Sequence, residues 1–400
     1  MSNPIQDGMA EATRLTREGK LAEATALIQR ALGGGFTGGS TGATDTSSNF
    51  GDPLQAILHA INEDPRSATA SQQDQDTQTL RPAPRHARPH RTSRGMPRSP
   101  GTLTVEPLGT PTEPGRFIER SYTNRFGTRA YKLYIPTGYV GQAVPLVVML
   151  HGCTQNPNDF ASGTGMNTLA EEHTFLVAYP AQSGNANMQK CWNWFQAADQ
   201  QRGQGEPSLI AGITCEVVGE YHVAADRVYV AGMSAGGAMA AVMGATYPDV
   251  YAAVGVHSGL APGAAHDMSS AFTAMRNGMH AGKAGAMAPT IVFHGDRDTT
   301  VHPRNAEHLI SHGLKGTPGA QAAQSQGQSP GGRSYTRVSY EDAEGRTVVE
   351  QWTVHGLGHA WSGGDSRGSY TDPTGPDASA EMMRFFEQHS LQGAGDASDG

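Results

Sequence analysis

The stretch RVYVAGMSAGGAMAAVMGATY, residues 227–247, decides how the rest of the chain reads. Its first six residues have the β-branched and aromatic content of a buried strand, while the residues after Gly236 suit a helix. The pentapeptide Gly232-Met233-Ser234-Ala235-Gly236 therefore stands at a strand-to-helix turn, the setting that a G-x-S-x-G nucleophile elbow requires. Small residues at 232 and 236 let the chain reverse sharply, which lifts the serine oxygen clear of the sheet and aims the N-terminus of the next helix at it. The backbone N–H of Ala235 is then free to stabilise an oxyanion. Ser234 is the candidate nucleophile.

Further buried-strand runs flank this one: PLVVML at 145–150, FLVAYP at 175–180, YAAVGVH at 251–257 and TIVFHG at 290–295, each separated by a segment able to hold a helix. RFIERSYT and RAYKLYIP alternate apolar and polar residues around a turn at Asn124 to Gly127, so an antiparallel hairpin opens the domain near Arg116. This is the pattern of an α/β protein with a mostly parallel central sheet and helices on both faces, and with the elbow at Ser234 it resembles an α/β-hydrolase. Between His257 and Thr290 there is room for one helix and little else. No large lid is expected, and the cleft should be open.

A serine hydroxyl is a weak nucleophile at neutral pH, so a histidine must take its proton and an acid must fix the tautomer of that histidine. In this fold the acid follows a later strand and the histidine comes last. After TIVFHG the loop reads Asp296-Arg297-Asp298-Thr299-Thr300-Val301. Asp298 is the candidate acid, and Asp296 is left to close the turn. The strand-like TVVEQWTVH is followed by Gly356-Leu357-Gly358-His359, which makes His359 the candidate base. Two glycines between His355 and His359 argue against a helical metal pair, and no metal or cofactor is expected. His151 and His294 precede glycine at strand ends and read as turn-shaping residues. The second oxyanion donor should be the amide of Cys153 or Thr154, in the loop after PLVVML.

The motifs HGCTQNP (151–157), CWNWF (191–195), RGQGEPSLIAG (202–212), GMSAGG (232–237), HGDRDTTV (294–301) and GLGHAWSGG (356–364), in this order, resemble the poly(3-hydroxybutyrate) depolymerase family of esterases. That family is in turn similar to feruloyl and acetylxylan esterases. The resemblance implies Ser234, Asp298 and His359 as triad and the Cys153 amide in the oxyanion hole, beside the Ala235 amide read from the elbow. It also implies Trp192, Trp194 and Trp361 at the border of the substrate site, and a bridge between Cys153 and Cys191. A polyester or small ester is the implied substrate, a plant polysaccharide ester the alternative, and an inactive granule- or surface-binding protein the alternative of another class.

The remaining sequence sets the surroundings. The chain has 400 residues, 37% of them hydrophobic, which is low for a chain globular throughout. Residues 1–33 read as a helical hairpin, able to self-associate or to meet a granule surface; 34–114 as a disordered Gly/Ser/Pro/Arg-rich linker; 115–391 as the catalytic domain; and 392–400 as a disordered tail. The formal charge of -8 offers no general field for polyphosphate, so no nucleic acid partner is expected, even though the linker holds six arginines between Arg81 and Arg98. No apolar run is long enough for a membrane span, and no secretory leader is legible, so the expected location is cytoplasmic. Three cysteines do not make a disulfide framework.

Overall fold

The computed structural model describes residues 115–279 and 287–391. The expectations for residues 1–33, 34–114 and 392–400 lie outside the described residues.

The hairpin is formed by β1 (Arg116–Asn124) and β2 (Gly127–Ile135), paired from Arg116 with Ile135 down to Asn124 with Gly127. Gly127 closes the turn at a φ of 130°, open only to glycine, and the Asn124 side chain accepts from the Phe126 amide at 2.8 Å. After it come β3 (Val144–Leu150), β4 (Leu176–Pro180), β5 (Val223–Met233), β6 (Ala253–His257), β7 (Thr290–Gly295), β8 (Gln321–Gln328), β9 (Ser334–Glu341) and β10 (Thr347–Val354). They form one ten-stranded sheet in the order β1-β2-β4-β3-β5-β6-β7-β10-β9-β8. From β4 to β10 the pairing is parallel, and at both ends it turns antiparallel.

Because successive strand side chains face opposite sides, a sheet covered on both faces needs two cores. Leu146, Val148, Leu150, Val228, Val230, Val254, Val256 and Val292 face one of them. There they meet α3 (Gly205–Glu220), α4 (Ala235–Thr246), α5 (Met268–Asn277) and α6 (Arg304–Gly313). Val147, Met149, Tyr229, Ala231, Ile291 and Phe293 face the other, covered by α1 (Pro157–Thr164), α2 (Met166–His173) and α7 (Ala378–Phe386). The continuous apolar reading of the central strands follows from this double cover. α4 is buried from Ala235 to Gly244, and its small residues let it lie close to the sheet: a Cβ on Gly244 would strike Val254.

The sheet extends past the last expected strand. β8, with sequence QAAQSQGQ, is almost wholly exposed and lies beyond both cores, so it carries no apolar alternation. The segment between β6 and β7 contributes one described helix, α5. Among the described residues no helix is long and apolar enough to cross a membrane.

Candidate active site

Ser234 stands between β5 and α4, as the N-cap of α4, with φ 56° and ψ −119°, a conformation that costs a non-glycine residue about 1–3 kcal/mol. Its neighbours impose that turn. A Cβ on Gly232 would come within 2.6 Å of the Leu150 carbonyl, and one on Gly236 within 2.5 Å of the His151 carbonyl, so the elbow packs against β3 too closely for any side chain. The Ser234 amide donates to the His257 carbonyl at 2.9 Å, tying the elbow to β6.

The loop after β7 carries Asp298, the candidate acid. Asp298 Oδ1 accepts from the amides of Thr300 at 2.9 Å and Val301 at 2.8 Å, and Oδ2 accepts from His359 Nδ1 at 2.7 Å. Burial alone would raise this carboxyl, but the His359 and His294 imidazoles override it and hold it well below the usual carboxylate range. With its Nδ1–H given to Asp298, neutral His359 keeps an unprotonated Nε2. Asp296 plays a different part, accepting from His355 Nδ1 at 2.9 Å and from the Gly356 amide at 2.6 Å, and so fastens the histidine-bearing loop to the acid loop.

Ser234 and His359 line the same cavity of about 220 Å³. Leu260, Trp194 and Phe195 make part of its wall, and Met268, Phe272 and Met275 of α5 make another; among the described residues no Lys, Arg, Asp or Glu lines it. Beside Ser234, the loop after β3 spends the Gly152 amide on Gln155 Oε1 at 2.9 Å and the Thr154 amide on the Gln189 carbonyl at 2.6 Å. The amides of Cys153 and Ala235 are not taken by any acceptor among the described residues. His151 shapes the same loop: its Nδ1 contacts the Gly152 carbonyl at 2.7 Å, and Nε2 accepts from the Gln182 amide at 3.1 Å. Burial lowers His151 to about 4, so it is neutral at pH 7. Cys153 and Cys191 are joined by a disulfide, which fastens the loop to the segment carrying Trp192 and Trp194.

Of the three tryptophans assigned to the border of the site, Trp194 alone lines the cavity. Trp192 is fully buried beside His151 and Arg129, with ring centroids or guanidinium 5.9 Å away in each case. Trp361 is 1% exposed, set edge-on to Phe160 and stacked at 5.0 Å on His257, with its N–H on Ser379 Oγ at 3.1 Å. Both are core residues: their neighbours in sequence reach the site while their rings point inward. A buried polar hub also escaped the sequence reading. Glu206, on α3, accepts from the Asn193 amide at 2.7 Å, from Asn193 Nδ2 at 2.9 Å and from Gln182 Nε2, and it lies 3.4 Å from Arg129. Burial raises it to about 7. It anchors the segment between Gln182 and Asn193, which presents Met188 and Gln189 to the cavity. An acid set against the apolar run PSLIAG is the signal that marks it.

With this geometry in view, the family model described as esterase PHB depolymerase matches residues 129–330, half of the chain. The chain belongs to this family. Among relatives of the PHB depolymerase esterases, the poly(3-hydroxyalkanoate) depolymerase C of Paucimonas lemoignei is 34% identical over 259 residues, covering 59% of this chain and 60% of the relative. A poly(3-hydroxybutyrate) depolymerase of Ralstonia pickettii is 29% identical over 275 residues, 62% of this chain and 54% of that one. Acetylxylan esterase A of Talaromyces purpureogenus is 29% identical over 202 residues, 46% and 52% of the two chains. The chain thus spans between half and two thirds of the length of these relatives. In fold it is similar to an acetyl xylan esterase of Aspergillus awamori, at TM-score 0.53 and 21% identity, covering 68% of this chain and 99% of that one. The α/β-hydrolase fold expected from the sequence is the one found.

Proposed function

We propose that this PHB depolymerase-family protein is a serine esterase that cleaves short-chain polyhydroxyalkanoate or its oligomers. The observation that carries the proposal is the 2.7 Å contact of His359 Nδ1 with Asp298, made at a cavity that also holds Ser234. In the proposed cycle Ser234 Oγ attacks the ester carbonyl while His359 Nε2 takes its proton. The amides of Cys153 and Ala235 receive the developing oxyanion. His359 then protonates the leaving alcohol, and an acyl group remains on Ser234. Water attacks that acyl-enzyme with His359 again as base, releasing the acid and restoring the serine.

The lining supports a neutral, apolar acyl group, since a carboxylate-bearing substrate would be desolvated there without a cationic partner among the described residues. Two relatives are named for polyhydroxyalkanoate depolymerisation, which favours that class, whereas the acetylxylan esterase relative supports acetyl esters of polysaccharide as the second reading. Residues 1–33 remain the proposed means of granule contact or self-association. For location, the Cys153–Cys191 bridge favours an oxidising compartment over the cytoplasm expected from the sequence.

Rates on 3-hydroxybutyrate oligomers, acetylated xylan and methyl ferulate, measured side by side, test the substrate assignment. A kcat/KM for the oligomers above the other two is expected. A preference for acetylated xylan or methyl ferulate would overturn the assignment, and inactivity on all three would overturn the esterase reading.

A further inference from the structure

His294 is the penultimate residue of β7, buried and not itself a member of the triad. Its Nε2 lies 2.8 Å from the Val301 carbonyl oxygen and 3.5 Å from Asp298 Oδ2, the same carboxylate oxygen that takes His359. A carbonyl oxygen only accepts, so Nε2 carries the proton and donates to Val301. The other ring nitrogen, Nδ1, is buried without a hydrogen-bond partner among the described residues. An unpaired buried polar atom disfavours the folded state, and a leucine here would avoid it. What a leucine could not do is hold Val301.

Val301 connects the two residues. Its N–H donates to Asp298 Oδ1 and its C=O accepts from His294, while its side chain is buried and lines the cavity. The turn is closed a second time by the Asp298 amide on the Gly295 carbonyl at 3.3 Å. The acid loop is therefore gripped from behind by one imidazole and meets the other in front. Without His294, the Val301 carbonyl loses its donor in a dry interior, the Val301 amide loses its fixed position, and Asp298 is freed to turn about its side-chain bonds.

We propose that His294 is a positioning residue of this site, which locks the Asp298 loop through Val301 so that one carboxylate oxygen is presented to His359. The proposal rests on the esterase reading above and adds to it a residue that touches neither substrate nor nucleophile.

Two amide replacements of nearly equal polarity separate this role from ordinary core packing. In His294→Gln the side-chain amide reaches about as far as Nε2 and can donate to Val301, whereas in His294→Asn it falls short. With p-nitrophenyl butyrate, His294→Asn should lower kcat by about ten- to a hundredfold with KM within about twofold, as expected for a misplaced catalytic group. His294→Gln should recover most of that loss. The low-field proton resonance of the His359–Asp298 hydrogen bond should vanish or broaden in the Asn variant and return in the Gln variant. The proposal is overturned if His294→Asn keeps the parent's kcat and resonance. It is equally overturned if both variants lose activity in step with their melting temperatures while the resonance stays. Ser234→Ala is run alongside: if it hydrolyses as fast as its parent, the esterase reading itself falls, an outcome distinct from failure of the His294 role in an enzyme that depends on Ser234.

Discussion

Replacing Asp298 by Asn changes one atom of the site, and the structure fixes which way the new amide must turn. Asp298 Oδ1 sits where two backbone N–H groups, those of Thr300 and Val301, converge at 2.9 and 2.8 Å. An NH2 group in that place would face two donors, so the oxygen of Asn stays there and its NH2 takes the place of Oδ2. That NH2 now confronts His359 Nδ1, which donates across 2.7 Å in the parent. To accept instead, His359 must move its proton to Nε2, the atom that has to receive the proton of Ser234. The base is thus present but in the wrong tautomer, a state that costs a serine triad about ten-thousand-fold in kcat, or about 5.5 kcal/mol at about 1.36 kcal/mol per tenfold. Initial rates on p-nitrophenyl butyrate at pH 7 measure this directly, with circular dichroism to establish that the variant folds. A folded Asp298→Asn protein within tenfold of the parent's kcat would refute the reasoning.

Other perturbations follow from the same geometry. Changing both Cys153 and Cys191 to Ala opens a loop of sequence separation 38, which should cost about 4 kcal/mol of stability on the loop-closure argument and lower kcat by loosening the oxyanion amide. Calorimetry and initial rates read both effects, and unchanged values in both would contradict the bracing role. Gly236→Ala drives a Cβ into the Leu150 and His151 carbonyls and should yield insoluble or inactive protein, while Gly219→Ala, whose added Cβ meets nothing within 4 Å, should leave solubility and activity intact; soluble, active Gly236→Ala would count against the elbow packing. His151, His257 and His389 are lowered by burial to about 4, about 3 and about 4, so the folded state holds them neutral. Their contribution is present above an unfolded value near 6.5 and is lost as pH falls towards those values. At pH 5 the loss is about 2 kcal/mol for each, and the raised Glu206, which gains a proton in the folded state first, returns about 2 kcal/mol of it. Urea titrations at pH 7 and pH 5 should show a net loss of about 4 kcal/mol, and greater stability at pH 5 would invert the sign of the argument.

What the sequence discloses about this fold depends on which residues obey a short-range rule. The elbow is legible because strand, glycine, serine, glycine and helix must be contiguous, and the central strands are legible because burial on both faces leaves them continuously apolar. β8 escapes notice for the opposite reason: outside both cores, its stretch of Gln, Ser and Ala needs no apolar pattern to pair. The choice between the Cys153 and Thr154 amides is not local either, since it turns on the Gln189 carbonyl that Thr154 finds 35 positions along the chain. Trp192 and Trp361 mislead because adjacency to a site says nothing about the direction of a ring. The Phe160 and His257 faces that receive Trp361 come from α1 and β6, and only the assembled sheet brings them together.

The most direct test of a nucleophilic Ser234 is stoichiometric labelling with a p-nitrophenyl alkylphosphonate, followed by digestion and mass spectrometry of the labelled peptide. The account predicts one phosphonyl group per chain, carried by Ser234, with release of p-nitrophenol in step and no labelling of Ser234→Ala. A label on another residue, or full ester hydrolysis by Ser234→Ala, would contradict it.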